Sequence, residues 1–307
     1  MKTHVLSAVA CAALLAGCAS TPPESLESQN DRVAATLAGR SDADSLAAAA
    51  LMRASKQHDT ALQLIAKATA AAPARADLAW LHVQICAMAP GCDPEPLDAR
   101  LRSIDPANSV GWLGPLARAS VAGDEARVDE ALAGIGRSER TQVYWTVLQS
   151  RLIPAVMDTP AMDPSDALWS VLGPLASIPF PPMKGVLGAC KEDRLGREGR
   201  RASCREVARV LQRSDTYLME MIGVAVAKRA WPADSAEAQA ALEARRAYEY
   251  QTDVLAARRS RQRIDPAVYL RQVSENSTEQ AMDRAEILAA NLRPDPPVDW
   301  KKKPVAQ

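Results

Sequence analysis

The sequence predicts an all-α fold: a helical-hairpin array followed by a further helical region. Three observations carry that expectation. The chain of 307 residues is rich in alanine, holds a single phenylalanine (Phe180), and has few of the β-branched runs that build sheets. Apolar residues recur at spacings near three and four, as in Leu62, Ile65, Ala66 and Ala68. Helix-start signals recur as well. The plainest is Asp163-Pro164-Ser165-Asp166, with a capping acid, proline in the first turn and a second acid near the positive end of the helix dipole.

Residues 1–17 have the parts of an export signal. Lys2 supplies the positive n-region, and Val5 to Ala16 is apolar except for Ser7. That run is too short to cross a hydrocarbon core of roughly 30 Å as a helix. It closes on Leu15-Ala16-Gly17-Cys18, which resembles the lipobox of bacterial lipoproteins. The resemblance implies cleavage before Cys18, diacylglycerol on its sulfur and acylation of the new amine. Cys18 is thus the expected lipidation site, with palmitate among the chains. Ala19, in place of an aspartate, implies an outer-membrane protein that faces the periplasm. Several acyl chains, at about 0.8 kcal/mol per buried methylene, hold a protein for long periods. An ordinary cleaved signal with an incidental cysteine is the alternative. The most apolar later segment, Leu218 to Ala227, is broken by Glu220, so the chain is expected to be anchored and not spanning.

Charge excludes one class of partner. The 37 basic and 37 acidic residues balance, whereas nucleic-acid binders carry a basic excess, so no nucleic acid is expected. Beyond Cys11 and Cys18, four cysteines remain, grouped as Cys86 with Cys92 and Cys190 with Cys204. An oxidising periplasm favours two local disulfides, Cys86–Cys92 and Cys190–Cys204. Free buried thiols are the alternative. A four-cysteine zinc site is disfavoured because both gaps exceed the usual two to four residues.

Residues 18–41 are polar at first, with Pro22-Pro23, and read as a flexible lipidated tether. Helical periodicity then sets in. Asp42 to Ala54 reads as one helix and Asp59 to Ala70 as a second, stopped by Pro73. With Asp42 as the first position of a repeat of about 34 residues, Ala49, Ala61, Ala68 and Pro73 fall at the positions of small residues and of the closing proline. One repeat on, Ile104-Asp105-Pro106, Trp112 and Gly123-Asp124 stand at a closing segment, a repeat tryptophan and an inter-helix turn. These residues resemble the tetratricopeptide repeat (TPR) over residues 42–137. Trp80 departs from it by one place, the Cys86–Cys92 segment with Pro90, Pro94 and Pro96 interrupts the middle unit, and the third unit lacks most of the small residues. A generic alanine-rich hairpin array is the alternative.

The resemblance implies a concave groove lined by the first helix of each pair. Its positions include Ala43, Leu46, Ala50, Arg53, Val110, Leu113 and Ala117. They are mostly small and apolar, which suits an apolar helix or extended peptide. Leu46, Arg53, Trp80, Val110 and Leu113 are the candidate partner-binding residues. The chain's own C-terminal helices are the other candidate occupant.

Residues 138–292 keep the helical pattern without the repeat. Asp163 starts a helix that carries Leu168, Trp169, Leu172 and Leu175 toward a core. Ile178-Pro179-Phe180-Pro181-Pro182 is a rigid break. Helices follow at Arg205 to Leu211 and Tyr217 to Ala230. A charged helix to about Arg259 is capped by Asp234 with Glu237, and two more open at Asp265-Pro266 and Ser277-x-x-Gln280. Residues 293–307, rich in proline and lysine, read as a disordered tail.

Signatures of catalysis are mostly missing from the sequence. No H-E-x-x-H, G-x-S-x-G or G-x-x-x-x-G-K motif occurs, and no cofactor or metal is expected. Beyond the signal only His58 and His82 remain, and His82 reads as a satisfied, partly buried side chain. Basic clusters at Lys191–Arg209 and at Arg258, Arg259, Arg261 and Arg263 read as solvated helix ends and loops, or as contacts for anionic envelope polymers or headgroups. Lys301, Lys302 and Lys303 beside Trp300 read as a soluble tail, or as a contact for a membrane surface. The expectation is an anchored periplasmic adaptor that binds an envelope protein. A carboxylate-based hydrolase of peptidoglycan or another polymer, or a purely structural lipoprotein, are the alternatives.

Overall fold

A computed structural model describes residues 25–178, 183–259 and 264–302 of the chain. The export signal, Cys18, most of the proline break at 178–182, Arg261, Arg263 and Lys303 lie outside the described residues. The rest is helical: α1 (Leu26–Ala38), α2 (Ala43–Arg53), α3 (His58–Ala71), α4 (Ala76–Met88), α5 (Glu95–Ile104), α6 (Val110–Ala122), α7 (Glu125–Arg137), α8 (Trp145–Met157), α9 (Pro164–Ser177), α10 (Met183–Ala189), α11 (Arg200–Leu211), α12 (Tyr217–Ala230), α13 (Ala236–Arg259), α14 (Pro266–Glu275) and α15 (Glu279–Ala289). Among the described residues there is no strand, only two isolated bridges, Asn108 to Arg140 and Thr141 to Ser214.

Helices α1 to α7 pack each on the next, in chain order. Asp42 starts α2 by accepting the Ser45 N–H at 2.8 Å, and Asp124 does the same for Arg127 at the start of α7. Between α6 and α7, Gly123 takes φ +68°, the left-handed turn that glycine adopts without strain. Ala47 to Ala50 are all fully buried, so α2 is enclosed on every side. Alanine permits this because its small side chain lets neighbouring axes approach closely. The Cys86–Cys92 segment does not break the middle hairpin, as it spans the last turn of α4 and the start of the loop to α5.

After α7 the chain turns back. α8 packs on α1, α2 and α9, and α10 packs on α6 and α12. α11 continues the array from α7, followed by α12 and α13. One apolar core therefore runs through both halves, from Val33 and Leu37 of α1 to Ala241 of α13.

A polar junction fixes the return. Residues 138–144 pass between the α5–α6 and α11–α12 loops. There Asn108 Nδ2 donates to Gln142 O (2.8 Å), and the Ser109 and Thr141 hydroxyls share a hydrogen bond of 2.6 Å. Asp215 accepts from the N–H groups of Val143 (2.9 Å) and Trp145 (3.3 Å), capping α8 from a distant loop. Between them Tyr144 takes φ +58°, and its hydroxyl donates to Asp105 Oδ2 at 2.7 Å.

Several expectations need correction. The tether expected over residues 18–41 is helical from Leu26, because Val33, Ala34 and Leu37 form a stripe that is buried against α2. Trp169 is 51% exposed, while Leu168 and Leu175 on the same helix are buried. Ser235 and Thr278 cap α13 and α15, each accepting from the N–H three residues on, in place of Asp234 and Ser277. The segment read as a disordered tail lies against α13 as far as Trp300. Arg246 Nη2 donates to Val298 O at 2.8 Å, and the Trp300 ring meets Tyr250 edge-on at 5.5 Å.

Candidate functional site

The groove expected along the first helices is covered by the chain itself at α2 and α6. Leu46 and Ala50 are buried where α8 and α9 cover α2. Val110, Leu113 and Ala117 are buried on α6, and α10 lies so close that a Cβ on Gly185 would stand 3.0 Å from Ala117 Cα. Arg53 Nη1 donates to Gln57 Oε1 one turn further on, at 3.1 Å. Leu46, Trp80, Val110 and Leu113, expected to meet a partner, are thus core positions. Their apolar character serves internal packing. Trp80 and Val110 also line a chamber between α4, α5 and α6.

An open cleft lies elsewhere, between α12, α13, α15 and the start of α8, with a volume of about 550 Å³. Trp145, Tyr217, Leu218, Met221, Tyr248 and Leu255 give it an apolar, aromatic lining. The Tyr217 and Tyr248 rings lie 4.8 Å apart, and Leu218 is 39% exposed. One end is charged. Arg259 Nη2 holds Asp283 at 2.6 Å and Glu286 at 2.8 Å, and Glu279 Oε2 accepts the Tyr217 N–H at 2.9 Å. Burial pushes the carboxyls of Glu279, Asp283 and Glu220 above the usual range, with Arg259 opposing the shift at Asp283. Each acid is already engaged within the fold. Glu279 caps α12, Asp283 pairs with Arg259, and Glu220 accepts from Gln280 Nε2 at 2.8 Å. Nothing in the residue pattern signals that Glu279 reaches Tyr217. The one usable signal is Glu279, Asp283 and Glu286 at helical spacing on α15.

The basic cluster around the second cysteine pair is largely neutralised. Arg194, Arg197 and Arg200 converge on Glu125 at 3.3, 3.5 and 2.8 Å. Arg200 is 1% exposed and also holds Asp129 at 2.8 Å, and its hydrogen bond is the main cause that draws the Glu125 carboxyl below its usual range. Arg258 pairs with Glu286, and Lys302 lies 3.7 Å from Glu249. Both cysteine pairs stand at disulfide distance, Cys86–Cys92 with Cα atoms 5.4 Å apart and Cys190–Cys204 with 5.7 Å. His82 is half-buried, and burial followed by Arg100 holds its imidazole toward the neutral form. Among the described residues no three His, Cys, Asp or Glu side chains are placed to hold a metal ion, and no helix is long and apolar enough to cross a membrane.

No family model matches this chain, and neither a curated protein nor a solved structure is significantly similar to it.

Proposed function

We propose that this chain is an adaptor of the bacterial envelope, a TPR-like helical lipoprotein anchored through Cys18 to the outer membrane and facing the periplasm. It binds a partner protein through the α12–α13–α15 cleft, not through the N-terminal groove. The anchor reading rests on the lipobox-like residues 15–18. The repeat reading is supported by the first helices of the three hairpins, which begin at Ala43, Ala76 and Val110, a step close to the TPR length of about 34 residues. The observation that carries the binding reading is the contrast between a groove closed by the chain's own helices and an exposed cleft lined by aromatic and apolar side chains. Carboxylates outnumber cations at the cleft's charged end. An amphipathic segment that sets a lysine or arginine beside apolar side chains has the matching chemistry.

Photo-crosslinking in whole cells tests this. A crosslinker in place of Leu218 is expected to trap one discrete protein, lost when Tyr248→Asp is added, while a crosslinker in place of the 91% exposed Val121 traps none. The same products from both positions, or none from either, would refute the cleft as a docking site. A Cys18→Ala variant that stays membrane-bound, or a chain that takes up no labelled palmitate, would refute the anchor.

The raised carboxylates of the cleft favour a second reading, a hydrolase of an envelope polymer such as peptidoglycan. Release of soluble fragments from purified peptidoglycan that disappears in Asp283→Asn would support it. The structural duties of Glu279, Asp283 and Glu220 weigh against it.

A further inference from the structure

The chamber between α4, α5 and α6 has a volume of about 250 Å³ and lies behind the Cys86–Cys92 pair. Trp80, Val83, Leu101, Val110 and Ala117 give it apolar walls, and Cys92 and Pro94 of the α4–α5 loop complete it on the outer side. Two polar groups in these walls stand out. The indole Nε1 of Trp80, a side chain 4% exposed, is buried and has no hydrogen-bond partner. Asp98 is 1% exposed, and its Oδ2 likewise lacks an aligned donor. Arg118 Nη2 lies 2.9 Å from that oxygen as an ion-pair partner and also serves Glu95. Gly114 makes room for the carboxylate, since a Cβ there would stand 2.7 Å from Asp98 Oδ2.

The two groups are complementary, for an indole N–H can only donate and an ionised carboxylate can only accept. A buried polar group left unpaired costs about 1–3 kcal/mol, so the Trp80 N–H calls for an acceptor, while the Asp98 carboxylate, held by Arg118 alone at Oδ2, has room to accept a further hydrogen bond. Charge limits the choice. Arg118 and Arg102 already face Asp98 and Glu95, so the cluster is balanced and offers neither a surplus cation nor a surplus anion. A hydroxyl group is both donor and acceptor, and can meet both needs without bringing a charge. A chamber of about 150 Å³ lined by aliphatic and aromatic side chains accepts benzene. The larger volume here suits a substituted ring.

We propose that the α4–α5–α6 chamber is a binding site for a compact, neutral, mostly apolar molecule bearing a hydroxyl group, recognised by the Trp80 indole N–H and the Asp98 carboxylate. The Cys86–Cys92 bridge fastens the loop that closes it. This site is separate from the cleft on α12 and α13, and does not depend on the adaptor reading.

The test uses the full chain in detergent, labelled with ¹⁵N, and two probes of equal shape, 4-ethylphenol and 4-ethyltoluene. The chain has six tryptophans, so Trp80→Phe assigns the Trp80 indole resonance by its disappearance. The expected result is a saturable shift of that resonance with 4-ethylphenol, at least tenfold weaker binding of 4-ethyltoluene, and loss of this preference in both Trp80→Phe and Asp98→Asn. Helical content by circular dichroism confirms that each variant is folded. If a variant is not folded, the preference for the phenol in the unaltered chain decides alone. No shift at millimolar 4-ethylphenol, equal affinity for both probes, or a preference unchanged in folded Trp80→Phe and Asp98→Asn would overturn the proposal.

Discussion

The two halves of the molecule hold their helices by different means. In α1 to α7 each helix packs on its neighbours in sequence, and the side-chain caps are local: Asp42 and Asp124 each bond a backbone N–H three residues on. From α8 onward local caps persist at α9, α13, α14 and α15, but they are joined by polar contacts that span long stretches of chain. Asp215 caps α8 from 72 residues away in sequence at Val143, Glu279 caps α12 from 62 away, and Arg200 bridges α11 to Glu125 and Asp129 of α7. An array built from local contacts can lose one and keep its pattern. A closure built from single distant contacts concentrates its stability in a few side chains.

That contrast can be broken at Arg200. Arg200 is buried and donates charge-assisted hydrogen bonds to Glu125 and Asp129, so Arg200→Ala is expected to cost about 3 kcal/mol in urea unfolding through their loss and that of its packing. A loss below about 1 kcal/mol would show that Glu125 and Asp129 do not depend on it. The disulfides rank next. Their sequence separations of 14 and 6 imply about 3 kcal/mol for Cys190–Cys204 and about 2 for Cys86–Cys92 in the chain-entropy account. Replacing each pair by alanines should reproduce that order in thermal melts. Asp215→Ala strands two backbone donors and should cost about 2–3 kcal/mol, against about 1 kcal/mol for the local cap in Asp42→Ala.

Acid sharpens the comparison further. Burial raises Asp98 and Asp215 from 3.8 to about 6. Between pH 4 and pH 6 the folded chain therefore binds more protons at these sites than the unfolded chain does. Their contribution to stability grows as pH falls through 6 and is lost as pH rises through it. Thermal melts should show a rise on going from pH 7 to pH 5, worth on the order of 1–2 kcal/mol, and Asp98→Asn should remove about half of it, leaving the share of Asp215. A melting point that falls steadily below pH 7 in the unaltered chain would contradict the burial of these carboxylates.

The legible parts of the fold are those set by neighbours in sequence. The starts of α9 and α14 follow from Asp163 and Asp265, and α2 and α3 from alanine periodicity and Pro73. Trp169 misleads because helical spacing fixes a face but not what covers it. The C-terminal caps mislead for a related reason: Asp234 and Ser235, or Ser277 and Thr278, are equivalent candidates until the approach of the chain chooses one. The groove positions are recognisable as small and apolar, but local pattern does not decide whether a partner or the chain itself buries them. The acidic cleft is legible only as the helical spacing of Glu279, Asp283 and Glu286, since the meeting of Glu279 with Tyr217 depends on where α15 returns. Trp80 stands out by its place near the repeat register, whereas its position in the chamber beside Asp98 depends on how α4 and α5 fold together.

On the proposed function, α8, α9 and α10 cover the inner face of the array at α2 and α6, and the cleft is the docking surface. Ala117 and Gly185 offer the most direct test. A Cβ on Gly185 would already stand 3.0 Å from Ala117 Cα and 3.2 Å from Ala117 N, tighter than ordinary packing allows. Gly185→Leu is therefore expected to cost about 1–3 kcal/mol in urea unfolding, while the folded variant retains the crosslink from position 218. An unchanged urea midpoint would show that α10 does not rest on α6 and would contradict a covered inner face.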